Sequence, residues 1–409
     1  VKSDLDGLMA ERGFDAFVVM GGASGNPALA YLTNGAKVTH GYALKRRGRP
    51  PVLVVNAMER GEAAKSGLPV VTDDAFEFLQ LFRETGSLFE AELRLFERMF
   101  DHFSVEGTVC FYGVADPGRS YRLLTRLDAT LPAVTVTGET DSTIFDEATM
   151  TKDADEIAAL RSVAGRTNAV FDEVINFLRG HAVADDRLVV DGGAPLTVGA
   201  VKRFLRGRLY EYGLEDEGVT IFAVGHDSGV PHSRGEADDV LPLGTTIVFD
   251  LFPRDLESGY YHDMTRTFCL GYAPPEVQRT YETVMQAFDA VMDRLAVGEE
   301  GGLFQDITCD VFEEHGHPTI RSTSGTQVGY VHNLGHGVGL RIHERPRLAA
   351  MSTDRIAPGQ VFTVEPGLYY PDEGYGVRVE DTLYVDEAGR VISLTPYPKD
   401  LVISVGEHA

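Results

Sequence analysis

Four carboxylates sit where an apolar strand does not ordinarily hold one. Asp250 ends TTIVFD, Asp263 lies within YYHDMTRTF, Glu365 within QVFTVEPG and Glu380 within GVRVEDT. An ionised carboxylate in such a segment is costly unless a cation or several hydrogen bonds compensate it. Any one alone reads as a salt-bridged or capping acid. Four together would need four separate compensations, which a shared metal site supplies at once. Eight of the twelve histidines fall between 226 and 343. His336, in HNLGHGVGL, is flanked by glycines that leave its ring unobstructed. His332 stands four residues before it and His343 seven after. In a loop or extended segment all three could converge on one pocket. Four carboxylates and an imidazole form an oxygen-rich donor set. It favours two hard or borderline divalent cations, Mn2+ first, with Zn2+ or Co2+ as alternatives. Two such ions can share a hydroxide and polarise a carbonyl, which is hydrolytic chemistry. No G-x-S-x-G elbow or H-E-x-x-H pattern competes.

The elements that must position these residues follow from periodicity. In the first 150 residues helical and strand-like segments alternate, as in an α/β domain. A helix over 1–12 is stopped by Gly13, strands are predicted at 14–20, 51–55 and 108–112, and one long helix at 79–103. The glycine-rich GGASGNP after the first strand lacks the spacing of a phosphate cradle and reads as a loop. Asp153 to Glu156 then opens a long amphipathic helix that Gly180 stops, and the domain boundary is placed just before it, giving domains 1–150 and 151–409. A second long helix is predicted over 275–297. Strands are predicted at 219–224, 245–252, 260–270, 360–369 and 375–385, and the polar residues of interest lie on or beside them.

Composition narrows the partners. The 409 residues are 43% hydrophobic and 24% charged, which suits a globular chain with a sizeable core. A formal charge of −25 repels phosphate backbones and anionic membranes, so neither nucleic acid nor a membrane is an expected partner. Cys110, Cys269 and Cys309 show no C-x-x-C spacing. They read as small buried hydrophobes in a reducing cytosol, not as a disulfide framework or thiolate zinc site. No run approaches a membrane span, and a cytoplasmic location is expected.

On DMTRT (263–267), GHGVGL (335–340), HERP (343–346), VEPG (364–367) and GVRVEDT (376–382), the chain resembles the creatinase, prolidase and aminopeptidase P family of pita-bread metallopeptidases. The resemblance extends to YLTN at 31–34 and so to essentially the whole chain. It implies a creatinase-type α/β N-terminal domain and an α+β pita-bread catalytic domain. It also implies a dinuclear metal site held by Asp250, Asp263, His336, Glu365 and Glu380. Asp250 would chelate one ion, Asp263 and Glu380 would bridge both, and His336 and Glu365 would complete the other site. The resemblance further places His232 near the scissile bond, and His332 and His343 as hydrogen-bonding partners of substrate and intermediate. Arg378, two residues before Glu380, would orient the carboxylates. Glu365 would double as a proton shuttle, and a metal-bridging hydroxide would attack the amide carbon.

The expected activity is that of an Xaa-Pro dipeptidase (prolidase) acting on small proline-containing peptides as a homodimer. The alternative is an aminopeptidase P acting on longer peptides. A non-peptidase lyase or a silent homologue is a minor alternative. The chain departs from the family between its two aspartates. Twelve residues, 251–262, separate them, a longer gap than is usual, and Phe252 stands in place of a glycine. The added FPRDLES is expected to lengthen a hairpin tip. It also brings in Asp255 as a rival first ligand, with Asp250 preferred because it ends the apolar strand.

Overall fold

The structure is a computed structural model and describes residues 2–216 and 218–406. The chain divides between Thr149 and Met150 into two compact units.

The first unit is built on six strands: β1 (Ala16–Gly21), β2 (Gly41–Arg46), β3 (Val52–Val55), β4 (Val70–Thr72), β5 (Gly107–Gly113) and β6 (Val134–Thr137). They form one mixed sheet in the order β4-β3-β2-β1-β5-β6. β1 runs antiparallel to β2 and parallel to β5. Val18, Leu44, Val54 and Val109 from the sheet pack with Phe96, Met99 and Leu127 from the helices. This is the α/β layout that the alternation of elements predicts.

Two helices differ from expectation. The N-terminal one is a short 3-10 turn, Lys2–Asp4, followed by Leu5–Arg12, and Gly13 ends it in the left-handed conformation; position 1 lies outside the described residues. The single helix expected over 79–103 is two, Phe78–Thr85 and Leu88–His102. Gly86 turns left-handed (φ 64°), and the Ser87 side chain then accepts from the Glu90 N–H to start the second. The apolar stripe runs on across this break, so periodicity alone does not reveal it.

The second unit opens with the helix Ala154–Arg179. It starts in a capping box: Asp153 accepts from the Glu156 N–H while Glu156 accepts from the Asp153 N–H. Gly180 follows its last residue but keeps a right-handed φ of −74°, so the stop is not a left-handed glycine cap. The remaining strands are a small hairpin, β7 (Ala182–Ala184) and β8 (Arg187–Val189), then β9 (Leu214–Glu215), β10 (Ile221–Val224), β11 (Thr246–Leu251), β12 (Arg254–Asp255), β13 (Met264–Leu270), β14 (Gly335–Gly337), β15 (Glu344–Leu348), β16 (Val361–Val364), β17 (Gly367–Tyr370), β18 (Tyr375–Arg378), β19 (Asp381–Val385), β20 (Val391–Ser393) and β21 (Val402–Ile403).

Two sheets dominate, ordered β10-β11-β13-β21 and β15-β14-β16-β19-β20. Phe222, Phe249 and Phe268 of the first pack against helices Ala154–Arg179 and Val198–Glu211, with Phe171 stacked on Phe249 at 4.2 Å. Phe362, Val364 and Leu383 of the second pack against Phe288 and Phe304 from helices Pro275–Arg294 and Gly301–Glu314. The former helix ends at Arg294, three residues short of expectation, where Leu295 turns extended.

Two predicted strands are each divided. The segment 360–369 breaks at Glu365-Pro366 into β16 and β17, and 375–385 breaks at Val379-Glu380 into β18 and β19. β17 and β18 pair with each other as a separate hairpin. The segment expected to be a strand from 260 begins only at Met264. The FPRDLES insertion does not extend a free tip. Its β12 pairs with β9, and Asp255 is 7% exposed, held by Arg166 at 2.9 Å and by the Ser258 N–H at 3.0 Å. A satisfied, walled-off Asp255 is not placed to compete with Asp250.

Candidate metal centre

Asp250 is the penultimate residue of β11 and faces Ile221 of β10 in register. Asp263 immediately precedes β13, and Thr265, two residues on, pairs in an isolated bridge with Glu380. His336 is the middle residue of β14. Glu365 and Glu380 occupy the two strand breaks. There the chain leaves the second sheet for the β17–β18 hairpin and returns, so both carboxylates turn inward where a regular strand would point alternate residues away. The five side chains line one cavity of about 490 Å3 together with His232, His332, His343 and Arg378. That volume is in the range of small-molecule sites.

Ligand atoms from Asp263, His336 and Glu380 lie within 4.8 Å of one another. His336 Nε2 is 3.7 Å from Asp263 Oδ2 and 3.4 Å from Glu365 Oε1. The other ring nitrogen, Nδ1, is 3.1 Å from the Gly337 carbonyl, which can only accept. Nδ1 therefore carries the proton and Nε2 presents a lone pair to the acids, the tautomer a metal ligand needs. Burial, then His343, holds the His336 pKa down to about 3, so the ring is neutral.

The carboxylates are short of positive charge. Burial first and Glu380 next push Asp263 and Glu365 well above the usual carboxylate range. Glu380 is pushed up to about 8, by burial and then by Asp250. Asp250 Oδ1 and Asp263 Oδ1 are buried without a hydrogen-bond partner among the described residues. Such orphaned acceptors in a crowded acidic cluster fit a divalent cation: it would supply the missing partner and let the acids ionise together.

Arg378 provides one cationic contact. Its Nη2 donates to Asp250 Oδ2 at 2.7 Å and its Nη1 to the Tyr369 hydroxyl at 2.8 Å. Thr265 Oγ1 donates to Glu380 Oε2 at 2.7 Å. Tyr369 lies 2.9 Å from His332 Nε2, while His332 Nδ1 is 2.6 Å from the Asn333 carbonyl. The donors resolve in one direction. His332 Nδ1–H donates to Asn333, Arg378 donates to Tyr369, and the Tyr369 hydroxyl donates to His332 Nε2. Burial, with Arg378 next, lowers the His332 pKa to about 3. A neutral His332 in this tautomer has no N–H left for a substrate oxygen, contrary to the role expected from sequence. His343 differs: it is exposed to the cavity, and among the described residues its ring contact is edge-on with His336 at 4.3 Å. His232 is likewise exposed at the cavity wall.

The cavity also holds residues that sequence reasoning passed over. Tyr369 lies four residues after Glu365 and reads as core, since it is fully buried in an apolar strand. Arg347 lies just past HERP and pairs directly opposite His336 across β14 and β15. Its signal was a cation alternating outward in a short strand beside a motif.

The model of metallopeptidase family M24 matches residues 158–387, more than half of the chain. The Xaa-Pro dipeptidase of Pyrococcus furiosus is 36% identical over 171 residues, 42% of this chain and 45% of that one. The chain spans between 45% and 61% of the length of the first curated relatives it matches. Among solved structures, the X-Pro aminopeptidase from Thermotoga maritima superposes with a TM-score of 0.74 at 22% identity, covering 99% of both chains. The Xaa-Pro dipeptidase from Bacillus anthracis gives 0.75 at 22%, covering 98% of both. These likenesses show the fold, an α/β N-terminal part followed by an α+β pita-bread part. The family match spans every carboxylate and histidine gathered around the cavity, and the chain belongs to metallopeptidase family M24.

Proposed function

We propose that the protein is an Xaa-Pro dipeptidase. In this reading it hydrolyses the imide bond of proline-ended dipeptides with two divalent cations held by Asp250, Asp263, His336, Glu365 and Glu380. The observation that carries the dipeptide limit is Arg347. It sits opposite His336 on the same sheet face and lines the cavity. Its guanidinium makes no ion pair among the described residues and is exposed to solvent. A guanidinium matches a carboxylate in bidentate fashion. The free carboxylate of a dipeptide is the anion a substrate would bring there, whereas a longer peptide brings a neutral amide.

When bound, divalent cations supply Lewis-acid polarisation of the scissile carbonyl and a water acidic enough to attack at neutral pH. The chain's own residues do the rest. Arg378 orients Asp250 through Nη2. His343, whose ring has no hydrogen bond among the described residues, donates a ring N–H to the carbonyl oxygen as negative charge grows on it. Glu365 takes the proton released at the attacking water and returns it to the prolyl nitrogen, which must leave as an amine. His332 anchors Tyr369, and His232 borders the scissile bond. The oxygen-rich donor set supports manganese. Three buried, unpaired thiols support a reducing cytosol. A homodimer and a catalytic part at 151–409 belong to the same reading, by resemblance.

The test is metal-stripped protein reloaded with Mn2+, Co2+ or Zn2+ and offered an Xaa-Pro dipeptide, an Xaa-Pro tripeptide, a longer peptide and proline-free controls. Cleavage confined to the dipeptide is expected, and Arg347→Ala should raise its KM by about tenfold or more, the worth of a charge-assisted pair. Cleavage of the longer peptides would make the protein an aminopeptidase P. No cleavage with any metal would return it to the lyase or silent readings.

A further inference from the structure

The register of β10 and β11 puts Ile221 directly opposite Asp250. Residues opposite one another in an antiparallel pair share a face, and alternation returns to that face two residues on, at Phe252. The other face is accounted for: Phe222, Phe249 and Leu251 are all buried in the core beneath the sheet. Ile221 and Phe252 therefore flank Asp250 on the cavity side, and both line the cavity.

Phe252 is held there by its successors. A residue before proline is confined to extended conformations, and Pro253 follows it. The Pro253 carbonyl accepts from the His262 N–H at 3.2 Å. Next, β12 is tied to β9, where Arg254 pairs with Glu215, and Asp255 is locked to Arg166. The insertion thus works as a brace that holds the backbone of Phe252 at the cavity wall.

The direction of a bound substrate follows from the two sheets. Arg347 belongs to the β14–β15 sheet, on the His336 side, whereas Ile221 and Phe252 belong to the β10–β11 sheet, on the Asp250 side. With the proline carboxylate at Arg347 and the scissile carbonyl at Asp263, His336 and Glu380, the amino-terminal residue extends toward Asp250. From this we infer that Phe252, with Ile221, forms a rigid apolar shelf that receives the side chain preceding proline and selects bulky apolar residues over glycine or aspartate. The inference rests on the dipeptidase reading and adds the substrate class to it.

Turnover of Leu-Pro, Gly-Pro and Asp-Pro by metal-loaded wild type, Phe252→Ala and Phe252→Leu tests it, alongside calorimetric binding of L-leucine and glycine to the same proteins. The wild type should prefer Leu-Pro to Gly-Pro by about tenfold or more in kcat/KM, the scale on which apolar pockets discriminate. Phe252→Ala should lower that ratio about tenfold and weaken leucine binding while leaving glycine binding as it was. Phe252→Leu, which keeps an apolar surface, should retain most of the preference. An unchanged ratio in Phe252→Ala, a wild type that prefers Gly-Pro or Asp-Pro, or leucine that binds wild type and Phe252→Ala alike or not at all overturns the shelf. Leucine bound through Phe252 with no dipeptide cleaved overturns the dipeptidase reading and leaves the shelf standing.

Discussion

The Nδ1–H of His336 is taken by the Gly337 carbonyl and that of His332 by the Asn333 carbonyl, yet the two rings end in different roles. For His336 the remaining nitrogen faces acids, and for His332 it faces the Tyr369 hydroxyl. His343 and His232, whose ring nitrogens have no hydrogen bond among the described residues, are the rings left to face substrate, and His343 lies against His336. His343→Ala should lower kcat by about a hundredfold, typical of a lost donor to developing charge, with metal content by elemental analysis unchanged. Full activity would remove it from the mechanism. The acids also set a pH dependence. In the metal-free chain the Glu380 pKa is raised from 4.5 to about 8. The folded form then keeps a proton that the unfolded chain has released, so stability is full below the unfolded value and is lost as pH rises through the folded one. A cation replaces that proton. The Tm gain on adding Mn2+ should be larger at about pH 8 than at about pH 5 by calorimetry, and equal gains would contradict the proposed ligand set.

Elements matter most where they break. The motifs at 263–267, 335–340, 364–367 and 376–382, with Asp250 at the end of an apolar strand, made the five ligand candidates legible without a structure, because chemistry-bearing residues stand out against apolar strands. Register did not show in the same way. The alternation across 360–369 and 375–385 is continuous, so only Pro366 hinted that Glu365 and Glu380 lie at turning points between a sheet and a hairpin. Arg347 and Tyr369 were missed because their meaning depends on which residue they face. The element carrying His343 has a further anchor: Lys152 Nζ donates to Glu344 Oε2 at 2.9 Å, each side chain 1% exposed. Glu344 also accepts from the Arg341 N–H at 3.0 Å, closing the turn that carries His343. Lys152→Met strands a buried carboxylate and should cost about 3–5 kcal/mol in denaturant unfolding. A loss below about 1 kcal/mol would mean that the pair is not what holds this turn.

At the scale of the whole molecule, a formal charge of −25 should make the chain repel itself, so its Tm should rise from low to moderate salt as screening sets in. A fall would point to stabilising ion pairs outweighing that repulsion. The three cysteines have a different use. Each is buried, and burial pushes Cys110 up to about 11 and Cys269 up to about 12, with Cys309 raised as well. A protonated thiol out of reach of solvent reacts only when its surroundings open. Cys110 lies in β5 of the first unit and Cys269 near the end of β13, the strand that Asp263 immediately precedes. An excess of thiol reagent therefore turns the two sulfurs into separate clocks, one per unit, each ticking at the rate at which its own sheet comes apart. Loading with Mn2+ should slow the clock at Cys269 and leave that at Cys110 running as before.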